Sequence, residues 1–343
     1  MKRVVIIGGG FAGANAARVL DGKCDLTLID CEDFFEYTPG ILRTLVEPKH
    51  YRKLHVKHAQ YLPNSKVVVG HVKSVDKNKV ILANGNKIKY DYLIIASGSH
   101  YNSPIKEEDV FFATRVKHLL EAHEKIQKSE KIVVVGGGLV GVELSAELAT
   151  HYSEKKIILI HSGSRLIERN DIKSSRCAEY FLNRHGVKII FNEKIIENIG
   201  KNIIGESGTK YDYDSVFFTV GIKPNVEFMT KKMSKFVSKG IIVNEYLQIS
   251  GLKNVFVAGD VSAVKEEKTA QNAENHGKIV ANNVLALLHE NEMKKYVSKK
   301  RLMVISLGKY SGIIEYKGFV LTGLIPAFFK WMIEKMVMYR FRG

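Results

Sequence analysis

The residues with the clearest chemistry are glycines that occur twice in the same pattern. Lys2-Arg-Val-Val-Ile-Ile-Gly-Gly-Gly-Phe-Ala-Gly13 returns as Glu130-Lys-Ile-Val-Val-Val-Gly-Gly-Gly-Leu-Val-Gly141. In each copy a β-branched apolar run leads into G-x-G-x-x-G. An Ala/Leu/Val-rich helical stretch follows (14–20 and 142–149), then a second apolar strand (25–30 and 156–161). This order of strand, glycine turn, helix and strand is what binding a dinucleotide pyrophosphate requires. Gly8 permits the tight turn, Gly10 lets the backbone approach the phosphates, and Gly13 lets the helix pack close to the strand. Gly136, Gly138 and Gly141 repeat those roles. Phe11 and Ala12 open the first helix, and Leu139 and Val140 the second. There, free N–H groups and the helix dipole favour negative charge.

A carboxylate discriminates between dinucleotides. Asp30 ends the strand after the first helix, where it can accept hydrogen bonds from a ribose 2′-hydroxyl and repel a 2′-phosphate. It fits the adenosine ribose of FAD. In register with Leu28-Ile29-Asp30, the second unit has Leu159-Ile160-His161, followed by Ser162, Ser164 and Arg165. The acid is missing, so NADH and NADPH both fit this unit.

The elements that must position these residues define an α/β fold with two Rossmann-like dinucleotide-binding units. Three further apolar strands end in small turns: Tyr92 to Ile95 runs into Ala96-Ser97-Gly98, Val216 to Val220 into Gly221, and Asn254 to Ala258 into Gly259-Asp260. With 343 residues the chain can form two or three modest cores. Its 45% hydrophobic and 26% charged content excludes a disordered chain. The net charge of +16 suits an anionic partner such as dinucleotide phosphates or acidic lipid headgroups. The basic residues are scattered and no nucleic-acid-binding signature accompanies them, so no nucleic-acid partner is expected. Cys24, Cys31 and Cys177 form no C-x-x-C pair, which argues against a metal site or a disulfide framework and for a reducing, intracellular setting. A strand begins at Val4, which leaves no room for a signal peptide, and no apolar run reaches the roughly 20 residues needed to span a bilayer.

The paired glycine units, the Ala96-Ser97-Gly98 turn and the late Gly259-Asp260 resemble the two-dinucleotide-binding-domain flavoproteins. That resemblance implies an FAD domain split around an inserted nicotinamide domain, with Asp260 at the flavin ribityl or phosphate. The expected boundaries are 1–107 and 241–300 for FAD, 108–240 for NAD(P)H, and 301–343 for a C-terminal segment. Disulfide reductases of this superfamily carry a redox cysteine pair, whereas Cys31 stands alone after Asp30, so thiol chemistry is disfavoured. Thr269 to Asn283 is similar to the A-Q-x-A signature of type II NADH dehydrogenases, which are single-subunit NADH:quinone oxidoreductases. The resemblance places Ala270 and Gln271 beside the flavin near the quinone, and Glu143, from Gly141-Val-Glu143, near the nicotinamide. Arg43 and Val72 complete the residues expected against FAD. The stretches Leu42 to Glu47 and Ile160 to Ser162 look closer still to the shorter relatives of apoptosis-inducing factor, among them the ferroptosis-suppressor quinone reductases. The chain stops at Gly343, short of the longer C-terminal membrane module of the family.

The resemblance implies an FAD-dependent NAD(P)H:quinone oxidoreductase in which NAD(P)H reduces the flavin and a quinone takes the electrons. Glu36 and Tyr37, near Pro39, are the ionisable candidates for supplying protons. A soluble NAD(P)H oxidase or a rubredoxin or ferredoxin reductase of the same superfamily is the first alternative. A redox-sensing binding protein with a long-lived flavin–nicotinamide complex is the second. In the closing stretch, Phe328, Trp331/Met332, Lys335/Met336 and Tyr339 recur every three or four residues, with Lys330 and Glu334 interrupting the apolar run. Such a helix suits the membrane interface, lying flat at the cytoplasmic face. The body of the protein, or a second subunit in a homodimer, would cover the same face.

Overall fold

The computed structural model describes residues 1–100, 112–230, 233 and 235–343. The expected boundary at 107/108 lies outside the described residues. The β-branched runs form strands because a parallel sheet covered on both faces needs near-continuous apolar sequence. Val4 to Ile7 are at most 5% exposed, and so are Ile132 to Val135.

Two parallel sheets result. The first has the order Val255–Val257, Tyr92–Ile95, Arg3–Ile7, Asp25–Asp30, Lys66–Val69. The second has the order Lys188–Ile190, Lys156–Ile160, Lys131–Val135, Ser215–Phe218. The repeat seen in the sequence is also a repeat of register. Gly8 N–H donates to Ile29 O and Gly136 N–H to Ile160 O, each at 2.8 Å. Ala96 N–H donates to Ile7 O and Thr219 N–H to Val135 O, again at 2.8 Å.

Each unit carries a three-stranded antiparallel sheet: Val72–Asp76, Lys79–Leu82 and Lys87–Lys89 in one, and Ile195–Ile199, Asn202–Gly205 and Lys210–Asp212 in the other. A short antiparallel pair, Ser99–His100 with Lys223–Pro224, joins the two units. The helix Ala270–Leu288 crosses the first fingerprint helix, Phe11–Leu20, at a point where backbones touch: a Cβ on Gly277 would stand 2.9 Å from the Ala12 carbonyl carbon.

The C-terminal segment forms three antiparallel strands, in the order Met303–Ser306, Gly312–Tyr316, Phe319–Thr322. The closing helix, Leu324–Arg342, packs on it. One face of that helix buries Pro326, Glu334, Val337, Met338 and Phe341. Polar contacts hold it down: Arg340 to Glu274 at 2.6 Å and His50 Nε2 to Glu334 Oε2 at 3.1 Å. Phe341 stacks on Phe35 at 4.1 Å and meets the edge of Tyr61 at 4.9 Å. The outward face leaves Leu324, Ile325, Phe328, Trp331 and Tyr339 more than half exposed. No helix among the described residues is long and apolar enough to cross a membrane.

Candidate active site

The glycine turns and strand ends converge on one cleft of about 1090 Å³, large enough for a dinucleotide. Gly8, Gly10, Phe11, Ala12 and Asp30 line it from the first fingerprint, and Leu139, Val140 and Glu143 from the second. Ala96, Ser97, Gly98, Gly259, Asp260, Ala270 and Gln271 complete the expected residues found in its walls.

The residues fit FAD on local grounds. Gly8 has φ +96° and Gly136 φ +113°, values that L side chains rarely adopt, so both turns depend on glycine. A Cβ on Gly13 would come within 2.9 Å of the Gly8 carbonyl carbon, and one on Gly141 within 3.0 Å of that of Gly136, so these positions must be bare for helix to meet strand. Neither Gly10 nor Gly138 caps its helix with a side chain. The first-turn N–H groups therefore remain available to a pyrophosphate.

At one end of the cleft, Asp30 Oδ1 accepts the Cys31 N–H at 2.9 Å, and Oδ2 faces His58 Nε2 at 2.9 Å. The His58 side chain is fully buried, and its Nδ1 lies 2.6 Å from the Tyr61 hydroxyl. His58 thereby holds the carboxylate in place. At the opposite end Ser99 Oγ donates to Asp260 Oδ2 at 2.8 Å. The turn before Asp260 rests on His276, whose Nδ1 accepts the Gly259 N–H at 3.1 Å. His276 Nε2 lies 2.8 Å from Glu266 Oε1. Burial alone would raise the Glu266 pKa, but His276, Ser298 and Tyr296 outweigh it and hold the carboxyl at about 2.

Across the cleft, Glu143 Oε1 accepts from the Ser306 N–H at 2.7 Å and from Lys330 Nζ at 2.9 Å. Gln271 Nε2 donates to Leu302 O at 3.2 Å. Tyr37 lines the cleft, and its pKa is raised by burial and then by the negative charges of Glu334 and Glu143. Glu36 is bound by Arg115, with Nε at 3.1 Å, and by the Tyr51 hydroxyl at 3.1 Å. Both residues considered as proton sources, Glu36 and Tyr37, line the cleft, and the Glu36 carboxylate is tied into an ion pair there.

Several expected contacts lie outside the cleft wall. Arg43 pairs with Glu147 at 2.7 Å and donates to Gly308 O at 3.1 Å, tying the second fingerprint helix to the C-terminal sheet. Val72 pairs with Leu82 and packs among the apolar residues beneath the first sheet. Gly13, Gly136, Gly138 and Gly141 shape the turns behind the wall. His161, Arg165 and Gly221 stand on the loops after the second-unit strands. Sequence reasoning did not assign His58, His276, Arg115 or Lys330. Of these only Lys330 left a signal, as a charge inside an otherwise apolar helical run.

Residues 2–277 match the model of the pyridine nucleotide-disulphide oxidoreductase family, and the chain belongs to that family. It is 32% identical to ferroptosis suppressor protein 1 of Taeniopygia guttata over 94% of this chain and 91% of that protein. It is 30% identical to apoptosis-inducing factor homolog B of Dictyostelium discoideum over 92% and 89%. Its fold matches the sulfide:quinone oxidoreductase of Aquifex aeolicus with a TM-score of 0.85 and 22% identity, covering 100% of this chain and 92% of that one. It matches NDH2 of Plasmodium falciparum in complex with NADH at 0.84 and 16%, covering 99% and 96%. The protein is a flavoprotein oxidoreductase that uses FAD and NAD(P)H. When bound, FAD supplies the two-electron chemistry that links a nicotinamide donor to an acceptor.

Proposed function

We propose that the protein is an NAD(P)H:quinone oxidoreductase working at a membrane surface. The observation that carries this reading is the double use of the closing helix. Ile333, Met336 and Val337 line the cleft, while Leu324, Phe328, Trp331 and Tyr339 face outward. An apolar acceptor that partitions into lipid meets an apolar wall continuous with an apolar outer face. Arg340 and Arg342 close the helix, and the net charge of +16 favours anionic headgroups. The alternative thiol chemistry has no support in the cysteines: Cys24 is buried with its pKa pushed up to about 11, and Cys31 is the only cysteine in the cleft wall.

In this reading residues 1–107 and 241–300 hold FAD, 108–240 hold the nicotinamide nucleotide, and 301–343 form the acceptor side. Gly10, Phe11 and Ala12 present the N–H groups that bind the pyrophosphate, Asp30 takes the adenosine ribose, and Asp260 takes the ribityl end. Leu139, Val140 and Glu143 orient the nicotinamide. The Lys330 ammonium stabilises negative charge developing on the acceptor, and the Glu143 carboxylate holds that ammonium in place. The Tyr37 hydroxyl stays protonated at neutral pH and serves as a donor in the same wall.

An anaerobic experiment tests the proposal. Bound flavin is reduced with NADH or NADPH, and a short-chain quinone is then added while flavin absorbance is followed. Rapid bleaching followed by rapid recovery is expected. Bleaching without recovery would move the acceptor away from quinones, and the absence of bleaching by either nucleotide would remove the reductase reading.

A further inference from the structure

The second fingerprint lacks the strand-end acid of the first, yet the structure brings a carboxylate to the place it vacates. We propose that Glu168, in the loop after Lys156–Ile160, replaces that acid and selects NADH over NADPH. This inference rests on the nicotinamide site proposed above.

Two residues in this loop looked suited to a 2′-phosphate, and neither is arranged to bind one. The His161 ring lies against the glycine turn, so that a Cβ on Gly137 would come 2.7 Å from its Cγ. Burial lowers its pKa, which keeps the ring neutral at physiological pH and removes the cation a 2′-phosphate would need. Arg165 is spent inside its own loop: one guanidinium nitrogen donates to Asn170 O at 3.1 Å and another to Glu168 O.

The same loop folds the Glu168 side chain back toward His161 while leaving it exposed to solvent. Ile167 is buried and adopts φ +41°, rare for a β-branched residue, and its N–H donates to Gly137 O at 2.8 Å. This hydrogen bond fastens the loop to the phosphate-binding turn. The next side chain folds back over Gly163: a Cβ added to that glycine would overlap Glu168 Oε1 and lie 2.9 Å from His161 Nε2. The carboxylate therefore sits two residues beyond the position that Asp30 occupies in the first unit. No side-chain partner engages it among the described residues, which leaves both oxygens to accept from a ribose diol. A 2′-phosphate in that position would face the full negative charge.

The test separates this inference from the reductase reading. ADP-ribose and 2′-phospho-ADP-ribose are titrated calorimetrically into the FAD-loaded protein, its Glu168→Gln variant, and the Glu168→Gln/His161→Asp variant. In parallel, flavin reduction is timed with NADH and NADPH. The unsubstituted protein is expected to favour the nucleotide without the phosphate by about tenfold or more. Glu168→Gln should bring the two ligands within about threefold of each other, and the acid placed at 161 should restore the preference. Equal or tighter binding of the phosphorylated ligand by the unsubstituted protein, or an unchanged ratio in Glu168→Gln, overturns the proposal. A flavin that neither nucleotide reduces counts against the reductase reading, while the ADP-ribose ratio still judges Glu168.

Discussion

Lys330 Nζ lies 2.9 Å from Glu143 Oε1, across 187 residues of sequence. The contact joins the closing helix to the second turn of the second fingerprint helix, inside the wall of the cleft. Both side chains are largely buried, at 20% and 13% exposure, and Glu143 keeps a second donor in the Ser306 N–H.

Lys330→Met should therefore leave the fold intact and damage turnover. The Ser306 N–H still holds Glu143, and the cation is gone. Steady-state turnover with a short-chain quinone is expected to fall roughly 10- to 100-fold, with unchanged flavin content. The unfolding free energy should fall by no more than about 1–3 kcal/mol, because Glu143 keeps its hydrogen bond from Ser306. Normal turnover together with a large drop in Tm would make the pair structural.

Trp331 is the only tryptophan in the chain and lies on the outward face of the closing helix, 51% exposed. Anionic vesicles should shift its emission to the blue, and neutral vesicles should shift it far less. Phe328→Ser combined with Tyr339→Ser should abolish vesicle binding and lower turnover with a long-chain quinone in vesicles, while short-chain turnover stays the same. A blue shift that depends on protein concentration and not on lipid would point to a second subunit.

Phe341 is 1% exposed and contacts Phe35, Tyr61 and the Arg18 guanidinium. Phe341→Ala removes a fully buried ring at a cost of about 3–5 kcal/mol. Tyr61 also meets His58, which holds Asp30, so the loss should reach the flavin site. Urea titrations followed by flavin fluorescence should show release of FAD at a lower midpoint. Release at an unchanged midpoint would uncouple the helix end from the ribose site.

The acid limb of stability should carry the signature of Glu266. Its folded pKa, about 2, lies below its ordinary value of 4.5. A depressed carboxyl stabilises the fold above its unfolded pKa, and this contribution is lost as pH falls through 4.5 toward 2. Glu266→Gln should flatten that part of the limb relative to the unsubstituted protein and loosen the Gly259-Asp260 turn. Parallel acid profiles for the two proteins would deny the carboxylate this role.

What was legible in the sequence was local. The two strand–glycine–helix units read clearly because their signals occupy a dozen consecutive residues and depend on bare backbone at fixed spacing. Asp30 was readable at the end of its strand, but His58 was not, because a loop and a short strand intervene before it returns to touch the carboxylate. Lys330 could be seen only as a flaw in an apolar pattern; its partner lies in another unit. Glu168 was invisible because its placement depends on the conformation of Ile167. The closing helix shows the limit of periodicity: one stripe faces outward and another is packed on the body, so lipid and protein need not compete for the same residues.

The first sheet gains its last strand, Val255–Val257, from a part of the chain that follows the whole second sheet. The second sheet's strands all lie between Lys131 and Phe218 and can pair as soon as they leave the ribosome. Until Val255–Val257 emerges, the edge of Tyr92–Ile95 is unpaired and open to strangers. At roughly 5–20 residues per second, the gap between Phe218 and Val255 lasts about 2–7 s. The second sheet is thus complete before the first, which closes its edge only once Val255–Val257 has emerged.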